Sequence, residues 1–174
     1  MALILDGTGT ISGVSATGLT TAQTVTQSAI GTGVAGTGPA FSAYATANQT
    51  ISSGVWTKIT LDAEDFDTNS NFASSRFTPT VAGYYQVNAS VAFAAGSQQD
   101  AIAIYKNGAF YKIGTYHSDP GTIGLREIIS TLVYCNGSTD YLEVYVTYNA
   151  GAATNTVTGG QYNIWFNGSL ARAA

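Results

Sequence analysis

The sequence predicts an all-β sandwich, and three observations carry that reading. Apolar and polar residues alternate over several short runs, and Gly, Asn, Asp and Pro pairs break those runs at regular intervals. No run shows the apolar period of about 3.6 residues that a helix needs. The clearest run starts after Gly83. Tyr85, Val87, Ala89, Val91 and Phe93 point one way, and Tyr84, Gln86, Asn88, Ser90 and Ala92 the other. That is the period of a half-buried strand. It sits in the stretch Phe72 to Phe93, around which the chain is organised: the residues before it enter the sandwich, and the strands after it close the fold.

Residues 1–37 differ from the rest. They are rich in Gly, Thr, Ala and Ser, carry one charge (Asp6) and contain no aromatic residue. Leu3, Ile4 and Leu5 and then Thr10 and Ile11 flank Asp6-Gly7, which reads as a small hairpin. Ala22 to Ile30 reads as a further extended piece or a short helix, with Thr and Val favouring the former. Alone, such a segment buries too little apolar surface to offset its ordering entropy. It is therefore expected to be an extended anchoring arm held by other chains, with Leu3, Ile4, Leu5, Ile11 and Val14 as its apolar contacts.

Gly38-Pro39 marks the boundary with a knob over 38–174. Ala40 to Tyr44 is a first strand, Gln49 to Gly54 a turn region and Trp56 to Leu61 a second strand. Asp62 to Asn71 is a loop; Val81, Ala82 and Gly83 form a tight turn into the organising strand. Ala101 to Tyr105 and Ala109 to Tyr116 flank Lys106-Asn107-Gly108, a hairpin turn that requires positive φ. His117 to Gly121 is a loop by its dipeptides. Leu125 to Tyr134 is apolar on both faces, as in a strand covered on both sides. Asn136-Gly137-Ser138 turns the chain into Tyr141 to Tyr148, where Leu142, Val144 and Val146 alternate with Tyr141, Glu143 and Tyr145. Asn149 to Gly160 is a small-residue loop, and Gln161 to Leu170 the last strand.

Charged residues make up 9% of the chain, against about 25% in ordinary soluble domains. The surface is therefore neutral, buried against other chains, or both. Net charge is -4 and no basic run exists, which argues against nucleic-acid binding. The single cysteine, Cys135, allows no intrachain disulfide. Met1 to Asp6 lacks a basic n-region, and no apolar run is long enough for a signal peptide or a membrane span. Synthesis in the cytoplasm without membrane insertion is the expectation.

No constellation supports an enzyme. His117, the only histidine, has turn residues for neighbours rather than a nucleophile or metal ligands. Cys135 ends a buried strand and reads as a packed thiol. Asp62, Glu64, Asp65 and Asp67 suit a hard cation in kind but not in spacing, and read as a solvated loop. The Asn-x-Ser/Thr triplets at Asn48, Asn88, Asn136 and Asn167 are expected by chance in this composition. No cofactor and no metal are expected.

Two sets of residues suggest contacts instead. If Leu142, Val144 and Val146 face the core, Tyr141 and Tyr145 face outward, as Trp165 does opposite Tyr162, Ile164 and Phe166. Outward aromatics on central strands are interface candidates, each worth about 4–6 kcal/mol as an upper bound. Tyr116, His117, Asp119 and Asn155 fall in segments expected at the end of the sandwich away from the chain termini, where a ligand would meet them.

From Gly38 onward the chain resembles the complement C1q-type globular head, a jelly roll shared with tumour-necrosis-factor-like cytokines. The resemblance rests on Gly38-Pro39-Ala40-Phe41-Ser42-Ala43, on Phe66-Asp67-Thr68 to Arg76-Phe77-Thr78-Pro79 with Val81-Ala82-Gly83-Tyr84-Tyr85, on Lys106-Asn107-Gly108 and on Phe166-Asn167-Gly168-Ser169-Leu170. It implies a C1q/TNF-like jelly-roll sandwich that forms a homotrimer. The collagen-like stalk of that family is missing; the Gly/Thr arm in its place looks like those of bacteriophage fibre and capsid-decoration proteins.

Together these imply a non-enzymatic virion structural protein, displayed on the particle surface. Its partners would be its own copies and the major capsid protein or tail and fibre components, with a host glycan or receptor as a further ligand. Residues before Gly38 span at most about 120 Å at ~3.3 Å each, which favours a capsid decoration, cement or head-fibre protein. The alternatives are the receptor-binding tip of a tail fibre and a secreted C1q-like glycan-binding adhesin.

Overall fold

The computed structural model describes residues 4–5, 11–12, 38–95, 99–118, 124–149 and 154–174. The chain divides into two units, Met1–Thr37 and Gly38–Ala174. In the first, β1 (Ile4–Leu5) pairs antiparallel with β2 (Ile11–Ser12), Leu5 opposite Ile11. The segment Ala22 to Ile30 and the residues Leu3, Val14 and Asp119 lie outside the described residues.

The second unit is a sandwich without a helix among its described residues. Its strands in chain order are β3 (Ala40–Tyr44), β4 (Gln49–Ser52), β5 (Thr57–Lys58), β6 (Ala63–Asp67) and β7 (Phe72–Ala73). Next come β8 (Arg76–Phe77), β9 (Ala82–Ala92), β10 (Gln99–Lys106), β11 (Ala109–Ser118) and β12 (Arg126–Asn136). The last are β13 (Leu142–Asn149), β14 (Thr154–Val157) and β15 (Ile164–Ala173). One sheet runs β12-β9-β15-β3-β6; the other runs β11-β10-β13-β8-β7, with β5 also on β13; β14 pairs β4.

The alternation read in the sequence places the core. Tyr85, Val87, Ala89 and Val91 of β9 are fully buried, as are Leu142, Val146 and Tyr148 of β13 facing them from the other sheet. Aromatic packing closes one end: Phe41 stacks on Phe77 at 4.2 Å and meets Phe166 edge-on at 4.8 Å. At that end Leu170 N–H donates to Pro39 O (3.0 Å) and Ala174 N–H to Ala82 O (3.1 Å), so the two ends of this unit lie together. Gly160 N–H, donating to Ala45 O at 2.8 Å, belongs to the opposite, distal end.

The β10–β11 hairpin forms as its sequence demands, with φ of 55° at Asn107 and 75° at Gly108. The Asn107 side chain also ties the neighbouring turn, donating to Asp140 Oδ1 at 2.7 Å. That bond, with Lys106 Nζ 2.9 Å from Oδ2, holds the Asp140 carboxyl below its usual range despite desolvation. A carboxyl depressed in the folded state stabilises the fold above its unfolded pKa and ceases to do so as pH falls through the folded value. The unfolding midpoint of wild type is therefore expected to drop on acidification below about pH 4, and Asp140→Asn to flatten that drop. Thermal unfolding of both between pH 5 and 2.5 (about one unit around the carboxylate range) measures it; parallel curves would remove Asp140 from the account.

Several segments differ from the sequence expectation. Ala82 and Gly83 are not a turn but the start of β9. Glycine stands at 83 because β15 passes there: a Cβ would lie 2.4 Å from Arg172 O. Gln49 to Ser52 is a strand, and only Ser53-Gly54 turns, with Gly54 at φ 73°. The expected second strand shrinks to Thr57–Lys58. Asp62 to Asn71 is not all loop, since Ala63–Asp67 pairs with β3 as an edge strand. His117 and Ser118 end β11, and Asn149 to Gly160 contains β14. Finally, β12 is covered on one face only within the subunit. Ile129, Val133 and Cys135 are buried, but Ile128, Leu132 and Tyr134 are 51%, 50% and 41% exposed.

Candidate functional site

The uncovered face of β12 belongs to a larger apolar belt. Period-two alternation sends Ile128, Leu132 and Tyr134 outward, and the β12–β9 register sets Tyr134 opposite Tyr84, their rings 5.4 Å apart. Leu132 and Tyr84 line a cleft of ≈ 540 Å³ together with Ala171 to Ala174. Across the sandwich edge, β11 of the other sheet adds Phe110, Tyr111, Ile113 and Tyr116, all exposed; Phe110, Ile113 and Tyr116 pair with Tyr105, Ala103 and Ala101 and share the outer face of that sheet, where Phe110 packs on Trp56 and Tyr105. The two edge strands come into contact through Thr115, whose hydroxyl accepts from Ile128 N–H (2.8 Å) and donates to Ile128 O (3.2 Å). Glycine at 114 permits this approach, since a Cβ there would lie 2.4 Å from Ile128 O.

Beside the belt, the middle of the same sheet face is polar and neutral. Asn88 Nδ2 donates to Asn167 Oδ1 (3.1 Å), and Ser130 Oγ donates to Asn88 Oδ1 (2.8 Å). Gln86 Nε2 donates to Ser130 Oγ at 3.0 Å. Beyond this ladder come Trp165, half-buried, and Phe66 of β6, exposed.

The residues singled out in the sequence are not brought together. Tyr141, just before β13, and Tyr145 of β13 lie on the outer face of the other sheet from Trp165. Each is half-buried by its own chain: the Arg76 guanidinium lies 3.7 Å from the Tyr141 ring centroid, and Tyr145 stacks on Tyr105 at 3.9 Å. Glu143, expected to face outward with them, is buried by Lys58 Nζ (2.7 Å) and Arg76 (2.9 Å). Tyr116 and His117 are exposed near the distal end of β11, and Asn155 lies in β14 with Nδ2 donating to Ala94 O (3.3 Å). Ile4, Leu5 and Ile11 belong to the separate N-terminal unit. Alternation within Ile128–Tyr134 was the signal for the belt, obscured because its inward positions are equally apolar.

Candidate chemistry is sparse. His117 Nδ1 is 2.5 Å from Glu127 Oε1, and Glu127 is wholly buried with Oε2 unpartnered. The pair clamps the β11 and β12 edges and has no nucleophile beside it among the described residues. Burial pushes the Cys135 thiol up to about 11, which leaves it protonated and unreactive near neutrality. No group of three or more His, Cys, Asp or Glu among the described residues is placed to hold a metal ion. Asp62 and Asp67 instead accept from backbone N–H groups of Thr46 (2.7 Å) and Phe72 (2.7 Å).

Strand order and core placement define the class: a jelly-roll sandwich of the C1q/TNF-like fold. The globular domain of zebrafish complement 1qA superposes with a TM-score of 0.57 at 16% identity, covering 78% of this chain and 99% of that one. Eiger TNF from S. frugiperda gives 0.58 at 8% identity, covering 79% and 94%, and murine APRIL gives 0.60 at 8% identity, covering 76% and 98%. At these identities the likeness is one of fold. No protein-family model and no curated protein sequence matches the chain.

Proposed function

We propose that the protein is a non-enzymatic structural knob that works as a homotrimer, anchored by its N-terminal arm to the surface of a bacteriophage capsid. The observation that carries this reading is the apolar belt. Eight large side chains on β9, β11 and β12 are between 38% and 56% exposed. The four on β9 and β12 share one sheet face and present on the order of 400 Å², about half of what one partner contributes to a standard interface, and the four on β11 flank them across the sandwich edge. Such a patch on a chain with so few charges marks a protein contact. The trimeric state is supported by the C1q-type motifs, and the virion setting by the Gly/Thr-rich composition of residues 1–37. Trimerisation would multiply weak arm contacts through effective concentration.

Removing residues 1–36 tests the division of labour. The truncated protein is expected to sediment as a trimer and to remain in the supernatant when capsid particles are pelleted, whereas the full chain pellets with them. A truncated knob that still pellets removes the anchoring role of the arm, and a full chain that sediments as a monomer removes the trimer. Placement at a tail-fibre tip is the second reading; the exposed Tyr116 and His117 at the distal end favour it, and binding to host cells without particles would support it.

A further inference from the structure

Aromatic rings and a surplus cation meet on the outer face of the sheet that holds β10 and β13. Tyr105 of β10 pairs with Glu143 of β13 on one side and with Phe110 of β11 on the other. Alternation turns all three away from the core, and Tyr145, two residues along β13, stacks on Tyr105 at 3.9 Å. Trp56, just before β5, meets Phe110 edge-on at 5.4 Å and Tyr105 at 6.2 Å. The rings thus form one platform, with Phe110 half exposed on its open side. The Glu143 knot lies at its other end. Two cations, Lys58 and Arg76, share that one carboxylate, which leaves one formal positive charge in excess. The Arg76 guanidinium is held 3.7 Å from the Tyr141 ring centroid and meets Glu143 through Nε and Nη2. Its Nη1 makes no hydrogen bond among the described residues, and the side chain is 41% exposed.

A plainer role for the rings is shelter, since Ala101 and Ala103 lie on the same face and are buried. Shelter accounts for Trp56, Tyr105 and Tyr145, each half-buried, but not for the exposure of Phe110 or for the surplus cation. The face of an aromatic ring is partly negative and attracts C–H groups, while a guanidinium with an open donor attracts a carboxylate. A ligand cation fits neither feature. The rings touch one another and leave no cup around it, and Arg76 and Lys58 repel it. A hexuronate residue offers a C–H face and a carboxylate on one pyranose ring. Strand spacing of about 4.8 Å puts Phe110 roughly 10 Å from Glu143, so a short oligosaccharide rather than a single sugar spans the platform. We propose that this face binds an acidic polysaccharide, with sugar rings stacked on Phe110 and Trp56 and a carboxylate on Arg76. Tyr141 and Tyr145, self-association candidates in the sequence, instead support the guanidinium and the platform. The site faces away from β9 and β12, so a second copy seated on those strands leaves it open. The inference therefore stands or falls apart from the self-association reading.

Titration calorimetry of the full chain with tetrasaccharides of galacturonate and of mannuronate tests the site. Their methyl esters keep the rings and lose the charge. At least one acid is expected to bind at millimolar concentration or below, and its ester about tenfold more weakly. Phe110→Ala removes a half-exposed ring and is expected to weaken the acid about fivefold. Arg76→Gln is expected to bring the acid down to the level of the ester while leaving the ester unchanged. Tyr162→Ala, just before β15 in the other sheet, leaves both unchanged. No binding of either acid at millimolar concentration, equal binding of acid and ester, or unchanged affinity in Phe110→Ala overturns the proposal.

Discussion

Leu132→Asp is expected to convert the assembled protein to monomers at micromolar concentration while the knob keeps its fold. Leu132 sits mid-strand on β12, 50% exposed, opposite Gln86 and next to the Tyr84–Tyr134 pair. In the free subunit a carboxylate at that position stays hydrated, so the fold loses little. Buried in an apolar contact it meets at most Arg172, which lines the same cleft, and desolvating the charge there costs several kcal/mol, up to about 3–5 by analogy with a broken pair. Each trimer carries that cost three times under the proposed symmetry, against the few tenths that most surface changes produce. Tyr162→Asp is the control, because Tyr162 is 78% exposed but lies outside the belt. Size-exclusion and sedimentation profiles with far-ultraviolet dichroism distinguish the outcomes. Assembly unchanged in Leu132→Asp, or lost equally in Tyr162→Asp, would move the contact away from the belt.

How much of this was legible beforehand depends on the demands each residue had to satisfy. The β9 and β13 alternation was readable because one face of each strand is solidly apolar. Asn107-Gly108 was readable because two consecutive left-handed residues admit few side chains. Strand β6 was missed because its sequence, Ala63-Glu64-Asp65-Phe66-Asp67, has the composition of a loop; it is a strand through its ladder to Ser42 and Tyr44, not through propensity. Gly83 carried no local sign that it meets β15, since a close approach between distant strands leaves no trace in the neighbouring residues. The interface candidates Tyr141 and Tyr145 came from a sound parity argument, but parity says nothing of Arg76 or Tyr105, which reach over from other strands to cover them. Exposure at Ile128 and Leu132 was hidden for the converse reason: apolar residues on both sides of a strand do not reveal whether the second cover comes from the same chain.

The buried carboxylate of Glu143 sets the largest stability effect expected within the subunit. Strands β5 and β8 are two residues each and join β13 by short ladders, Lys58 opposite Tyr145 and Phe77 opposite Leu142. Glu143, 2% exposed, gathers Lys58 from one and Arg76 from the other onto Oε1. Lys58 Nζ also donates to Ser74 O at 2.9 Å, which draws the β7–β8 turn into the same knot. Charge-assisted bonds thus stand in for the backbone pairs that such short strands lack. Replacing one cation leaves the other to neutralise the carboxylate, so Arg76→Met alone is expected to cost about 1–2 kcal/mol. Lys58→Met with Arg76→Met strands a charge that water barely reaches, and the expected loss rises to about 3–5 kcal/mol. Adding Glu143→Leu removes the stranded charge and is expected to return most of that stability, since apolar replacements of buried ion groups are often neutral or better. Urea unfolding of the three variants measures the sequence of losses and the recovery. A double variant no worse than Arg76→Met would mean that Glu143 is solvated or protonated without its cations, and that packing alone holds β5 and β8 to the sheet.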